Sequence, residues 1–261
     1  MRDRVASHGR RPAIGGEALG RAVNLNGKES SSEVLQRIKS KILIPNGTIT
    51  GFFNVSDAIG LTFDDGPDLE VTPVVLDVLR QHDAKATFFV LTDYASTRRD
   101  LVKQILDEGH EVGLHFDRHD RITELPPLTA WSRLIRARRL LADCAGPVSL
   151  FRPPYGSQNY LTYVFARLIG LKVIGWNRWA NDWLEQTAHS AARVASEHLA
   201  GGDIVLMHDG LELAPGDVRP TFDRAQMVEI FLRDATARGL RSVTVSSLLK
   251  RGAPRRSHWF R

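Results

Sequence analysis

The chain has 261 residues, 43% of them hydrophobic, which is enough to bury one large core. A single cysteine, Cys144, excludes an internal disulfide framework, and no stretch approaches the roughly 20 apolar residues of a membrane span. The formal charge of +5 sits at the ends: residues 1–30 hold six Lys/Arg against three Asp/Glu, and residues 250–261 hold five Lys/Arg and no acid. The body between them is mildly acidic, so no basic groove and no nucleic-acid partner are predicted.

Residues 1–54 read as a leader with one short helix. Residues 1–29 are Gly- and Arg-rich without periodicity and lack the apolar core of a secretory signal, which predicts a cytoplasmic protein. Ser30 to Glu33 fits a capping box, with Leu35, Ile38 and Ile42 following at helical spacing. Pro45-Asn46-Gly47 marks a turn, and the sequon Asn46-Gly47-Thr48 is read as chance.

From about residue 57 short apolar runs alternate with amphipathic segments. The runs are 58–63, 86–91, 111–114, 149–151, 172–175, 204–207 and 242–245; helices are predicted over 72–81, 100–108, 130–143, 161–169, 188–199 and 223–238. Such alternation implies parallel strands with crossover helices, in one α/β domain over residues 55–250. Seven runs suit a barrel slightly smaller than the eight-stranded one, with an open sheet as the alternative. Residues 251–261, including Arg251, Arg255, Arg256, Trp259, Phe260 and Arg261, read as a solvated basic tail; contact with an anionic membrane surface is the second reading.

The unusual polar residues follow these runs, where parallel α/β folds build their sites. Asp64-Asp65 ends the first, before the turn Gly66-Pro67. Consecutive strand residues point opposite ways, so two adjacent carboxylates serve two jobs only where the strand breaks. After the third run, His115 and His119 stand four apart, which on a helical turn would face both imidazoles to one ion; alone, the pair also fits two surface histidines. Phe116 stands where a zinc protease needs Glu, so that class is disfavoured. Asp65 would complete a two-His, one-carboxylate set suited to catalytic zinc, iron or cobalt.

Arg152-Pro153-Pro154-Tyr155-Gly156 is a rigid turn headed by a guanidinium that can grip Asp64, or else a structural turn with a solvated Arg. His208, ending the sixth run, is the natural general acid. Asp182 could orient it and Trp183 could pack on a sugar ring or acyl group; a loop Asp with a half-buried Trp fits equally.

In this order, Thr62–Pro67, His115/His119, Arg152–Gly156, Asn181–Trp183 and Leu206–Asp209 resemble the polysaccharide deacetylases of the NodB homology family, carbohydrate esterase family 4. The resemblance implies a distorted (β/α)7 barrel over roughly residues 55–250. It implies Asp64 as general base, and Asp65, His115 and His119 as ligands of Zn2+ or a similar divalent ion such as Co2+. Arg152 would orient Asp64, the Tyr155 N–H would donate to the oxyanion, and His208 would be the general acid tuned by Asp182. Trp183 and Leu206 would line the acetyl pocket.

The implied reaction is metal-assisted hydrolysis of an N-acetyl group on an amino-sugar oligo- or polysaccharide, such as a chitooligosaccharide or glycoconjugate precursor. An O-acetyl ester, a non-sugar amide and a catalytically silent carbohydrate-binding barrel are the alternatives. Two departures stand out: Phe116 replaces the family's usual Ser or Thr, and Trp179 replaces a frequent acidic residue. Both are expected to reshape the sugar-facing rim.

Overall fold

The computed structural model describes residues 47–213, 216 and 218–258, so the helix expected after Ser30 lies outside the described residues. Ten strands form among them: β1 (Thr48–Phe53), β2 (Ala58–Asp64), β3 (Thr87–Val90), β4 (Glu111–Leu114), β5 (Leu150–Phe151), β6 (Lys172–Val173), β7 (Arg178–Trp179), β8 (Ile204–His208), β9 (Arg241–Val243) and β10 (Ala253–Ser257). Eight helices accompany them: α1 (Val71–Gln81), α2 (Thr92–Thr97), α3 (Arg99–Asp107), α4 (Pro127–Ala145), α5 (Tyr160–Leu168), α6 (Ala188–Ser196), α7 (Arg224–Ala237) and α8 (Val245–Arg251). All seven apolar runs become strands. The two-residue β7, and the short α2 and α8, were too brief to leave a periodic signal.

The strands of the main sheet are parallel, in the order β6-β5-β4-β3-β2-β8-β7, with β9 paired to the first half of β2. The two ends of that path, β6 and β7, do not pair, so the sheet is an open-sided barrel. β1 reaches both sides of the opening: Gly175 N–H donates to Ile49 O and Phe52 N–H donates to Gly202 O, each at 2.7 Å. No helix among the described residues is long and apolar enough to cross a membrane.

Strand parity separates two cores. Ile59, Leu61 and Phe63 of β2, Phe88 and Val90 of β3, and Val205 and Met207 of β8 face the helices, in one large cluster with residues such as Leu76, Leu134 and Phe231. The alternate residues face the barrel interior, where Phe89, Leu150, Ile174 and Ile204 meet Ile49, Phe52, Val245 and Leu248. Gly113 is required here, because a Cβ on it would lie 2.6 Å from the Phe89 ring. Each large apolar side chain fully buried in this way contributes about 1.5–3 kcal/mol.

Two expectations about the ends are corrected. Residues 48–53, assigned to the leader, and residues 253–257, assigned to a solvated tail, pair as an antiparallel ribbon. The basic residues of β10 do not simply face solvent. Arg255 donates to the buried Asp203 at 2.9 Å, and Arg256 donates to Gly47 O at 3.1 Å. Composition alone misreads such a strand, because its charges are matched by acceptors distant in sequence.

Candidate active site

The site grows out of the inward parity of the barrel. Asp64 and His208 are register partners at the ends of β2 and β8, so their side chains stand side by side at the C-terminal edge. Asp65 then adopts a left-handed backbone, φ 71°, which ends the strand and turns its carboxylate away from its neighbour's direction. The chain packs tightly behind this turn: a Cβ on Gly66 would lie 2.2 Å from the Asp209 carboxylate.

Arg152, fully buried at the end of β5, is the hub. Its Nη1 donates to Asp64 Oδ1 at 2.6 Å and to Thr62 Oγ1 at 2.8 Å, and its Nη2 donates to Gly175 O at 2.9 Å. The guanidinium lies 4.2 Å from the Phe89 ring centre, so the apolar interior meets the polar site across this one side chain. Burial lowers its pKa, and the Asp64 charge opposes that shift.

His115, His119 and Asp65 bring one donor atom each to within 4.8 Å of one another. Nε2 of both histidines lies 3.2 Å from Asp65 Oδ1. The helical turn expected for the pair is not formed. His115 follows β4, Phe116 is left-handed at φ 84°, and His119 sits in the ensuing loop. A loop brings the rings together because its backbone reverses at Phe116.

The donor chemistry fits a divalent cation. The Arg152 carbonyl, 2.9 Å from His115 Nδ1, can only accept, so that nitrogen carries the proton and Nε2 presents its lone pair. Burial lowers His119 to about 4, so its imidazole is neutral at pH 7. Asp65 Oδ1 is buried without a hydrogen-bond partner among the described residues. Burial alone would raise Asp65, but the imidazoles of His115, His119 and His208 gathered around it hold it well below the usual carboxylate range. One carboxylate oxygen and two imidazole nitrogens therefore converge, a donor set that a divalent cation takes.

Across the cavity, Asp182 Oδ1 lies 2.8 Å from His208 Nδ1, and its Oδ2 accepts from the His208 backbone N–H at 2.8 Å. Burial opposes a charge on His208, but Asp182, by charge and hydrogen bond, outweighs it and raises the imidazole to about 9. Arg224, buried at the start of α7, donates to Asp182 Oδ2 at 3.3 Å and to its carbonyl at 3.0 Å. The sequence offered no signal for Arg224, which looks there like any first-turn residue after a helix cap.

A cavity of about 650 Å³ joins these groups, lined by Asp64, Asp65, His115, His119, His208, Tyr155, Trp183 and Leu206. Every residue singled out for the site lies on it or, like Arg152 and Asp182, touches a residue that does. Trp183 packs edge-on to His208, 5.7 Å between ring centres. Trp176, Arg121, Glu185 and Glu212 line the same cavity and were not anticipated. Burial and the Asp65 charge raise the Glu212 carboxyl above its ordinary value. Phe116 and Trp179, expected to shape the rim, do not line the cavity: Phe116 is fully buried among core residues, and Trp179 sits on β7.

Comparison with known proteins agrees with this geometry. A sequence profile described as polysaccharide deacetylase matches residues 54–174. The chain is 34% identical over 216 residues to a peptidoglycan-N-acetylglucosamine deacetylase of Bacillus cereus, covering 80% of this chain and 97% of that protein. It is 39% identical over 153 residues to the peptidoglycan-N-acetylglucosamine deacetylase PgdA of Listeria monocytogenes. That match covers 58% of this chain and 32% of the relative, so the chain spans about a third of that protein's length. The solved family 4 carbohydrate esterase from Streptomyces lividans, in complex with acetate, superposes with a TM-score of 0.66 at 28% identity, covering 77% of this chain and 98% of that one. The curled parallel sheet, the residues at its C-terminal edge and these similarities agree: the chain belongs to the polysaccharide deacetylase family, carbohydrate esterase family 4.

Proposed function

We propose that this chain is a metal-dependent hydrolase that removes N-acetyl groups from an amino-sugar oligo- or polysaccharide. The observation that carries the reading is the buried Asp65 Oδ1, without a hydrogen-bond partner among the described residues, facing two imidazole nitrogens at 3.2 Å, with a second carboxylate, Asp64, beside it. The name of the Bacillus cereus relative supports the amide of an N-acetylglucosamine unit as the bond attacked.

Asp65, His115 and His119 would hold the ion, and two nitrogens with one oxygen suit Zn2+, or Co2+ in its place. Such an ion supplies Lewis-acid polarisation of the amide carbonyl and a lowered pKa for a water. Asp64 is the general base. Arg152 grips its Oδ1 and leaves Oδ2, 3.9 Å from His115 Nδ1, to take the water's proton. The Tyr155 N–H donates to the developing oxyanion, worth roughly 3 kcal/mol for such a donor. Tyr155 stands in the cavity wall with φ 57°, a conformation that needs the surrounding turn to hold it.

His208 is the general acid. Its Nδ1 is engaged by Asp182, and an imidazole held at about 9 carries a proton at pH 7. It gives that proton from Nε2 to the leaving nitrogen as the C–N bond breaks. Acetate and a free amino sugar result. Trp183 and Leu206 wall the acetyl group on the apolar side. Acetate release by zinc-loaded protein on peptidoglycan fragments, chitooligosaccharides and acetyl-xylan tests this reading, with Asp64→Asn as the blank. Release from amino-sugar amides is expected. Release from acetyl-xylan alone replaces the amide by an ester, and silence on all three removes the carbohydrate substrate.

A further inference from the structure

The two imidazoles of the proposed metal site are held by different means. His115 is fixed by the barrel itself, through its Nδ1 and the Arg152 carbonyl. His119 Nδ1 is buried and has no hydrogen-bond partner among the described residues. A ligating histidine ordinarily donates its second N–H to a fixed acceptor, and that partner sets ring orientation and affinity. Here something else must fix His119.

Part of the answer is packing. The Tyr155 ring lies 4.1 Å from the His119 ring centre, and the Arg121 guanidinium covers the Tyr155 ring at 4.2 Å. The rest is the loop. Phe116 is locked in the core, its carbonyl accepting from Thr92 N–H at 3.1 Å. Arg133 of α4 then reaches the loop from outside. Its Nε and Nη2 donate to the two oxygens of Asp117 at 2.8 Å each, and Nη2 also donates to Asp120 Oδ2 at 2.5 Å. The same guanidinium lies 4.9 Å from the Phe116 ring centre. One side chain thus ties the residues on both sides of His119.

We propose that Arg133 is a positioning residue that sets the metal affinity of the Asp65–His115–His119 site by holding the His119 loop closed. The proposal rests on the metal reading above. A planar fork can bridge Asp117 bidentately and still reach Asp120; an ammonium cannot, so the geometry demands Arg. Without the clamp the loop must be ordered at the moment of metal binding, and that entropy is subtracted from affinity.

The test is Zn2+ affinity by competition with a chromogenic chelator, in wild type, Arg133→Met and Arg133→Lys, alongside urea unfolding of the metal-free proteins. Arg133→Met is expected to weaken Zn2+ binding roughly tenfold to a hundredfold, with Arg133→Lys between it and wild type. Turnover then falls at limiting metal and recovers with excess. Should Arg133→Met not fold, Arg133→Lys keeps stem and charge and carries the measurement. Wild-type affinity in both variants, or a lowered urea midpoint with unchanged affinity, overturns the proposal and leaves Arg133 a structural clip. A wild type that binds no Zn2+ overturns the metal reading itself.

Discussion

Two buried carboxylate–arginine pairs flank the cavity, Asp64–Arg152 on one side and Asp182–Arg224 on the other, and they differ in what the carboxylate has left over. Arg152 takes one oxygen of Asp64; the other lies 3.9 Å from His115 Nδ1, beyond hydrogen-bond distance. Asp182 has neither oxygen free, since Oδ1 meets His208 Nδ1 while Oδ2 accepts from the His208 N–H and from Arg224. The first carboxylate can accept a proton; the second can only hold an imidazole in place and favour its charge. Identical chemical groups are thus separated into base and orienter by how their lone pairs are spent.

Breaking the comparison at its reactive end gives the largest effect. Asp64→Asn keeps shape and the Arg152 contact but removes proton-accepting capacity. Its kcat should fall on the order of 10²- to 10⁴-fold while Zn2+ binding is retained, read by acetate release beside metal titration. Undiminished turnover would move the base elsewhere.

The next largest effect is on stability. Arg152→Met leaves Asp64 buried without its counter-charge and strips the Gly175 carbonyl of its side-chain donor. A loss of about 3–5 kcal/mol is expected in urea unfolding. Asp182→Asn sharpens the other side through pH. The folded-state pKa of His208, about 9, lies above its ordinary 6.5. Its charge therefore stabilises metal-free protein fully below about pH 6.5, and that contribution is lost as pH rises through about 9. In Asp182→Asn the decline over that window should flatten, and the basic limb of kcat/KM should move to lower pH. An unmoved limb would mean that a different group titrates there.

The smallest effect is expected from Arg224→Met, because Asp182 keeps both contacts to His208. Turnover should drop roughly tenfold, the scale of a small misplacement of a catalytic group. A drop as deep as that of Asp64→Asn would show that the two arginines are equivalent after all.

Much of this arrangement is legible in the chain itself. The seven apolar runs mark the strands because buried parallel strands need continuous apolar stretches, and the polar residues that end them mark the site. Other parts left no trace. Arg133 is one of four arginines in α4, with Arg136, Arg138 and Arg139, and nothing in the order of residues distinguishes it. β10 reads as a basic tail because its pairing partner, β1, lies at the other end of the chain. The i, i+4 spacing of His115 and His119 suggests a helical turn, and only the left-handed Phe116 replaces it with a loop.

Sequence alone determined the strand–helix alternation, the place of Asp64-Asp65 at a strand end, and the residue types available for chemistry. These are local properties, set by periodicity, turn residues and side-chain identity. Tertiary structure decided which arginine meets which carboxylate, and left Asp64 an oxygen to react with. Arg152 reaches Asp64 across 88 residues and Arg224 reaches Asp182 across 42. Such pairings follow from strand order and register, which bring distant residues to one barrel edge, and no local pattern records them.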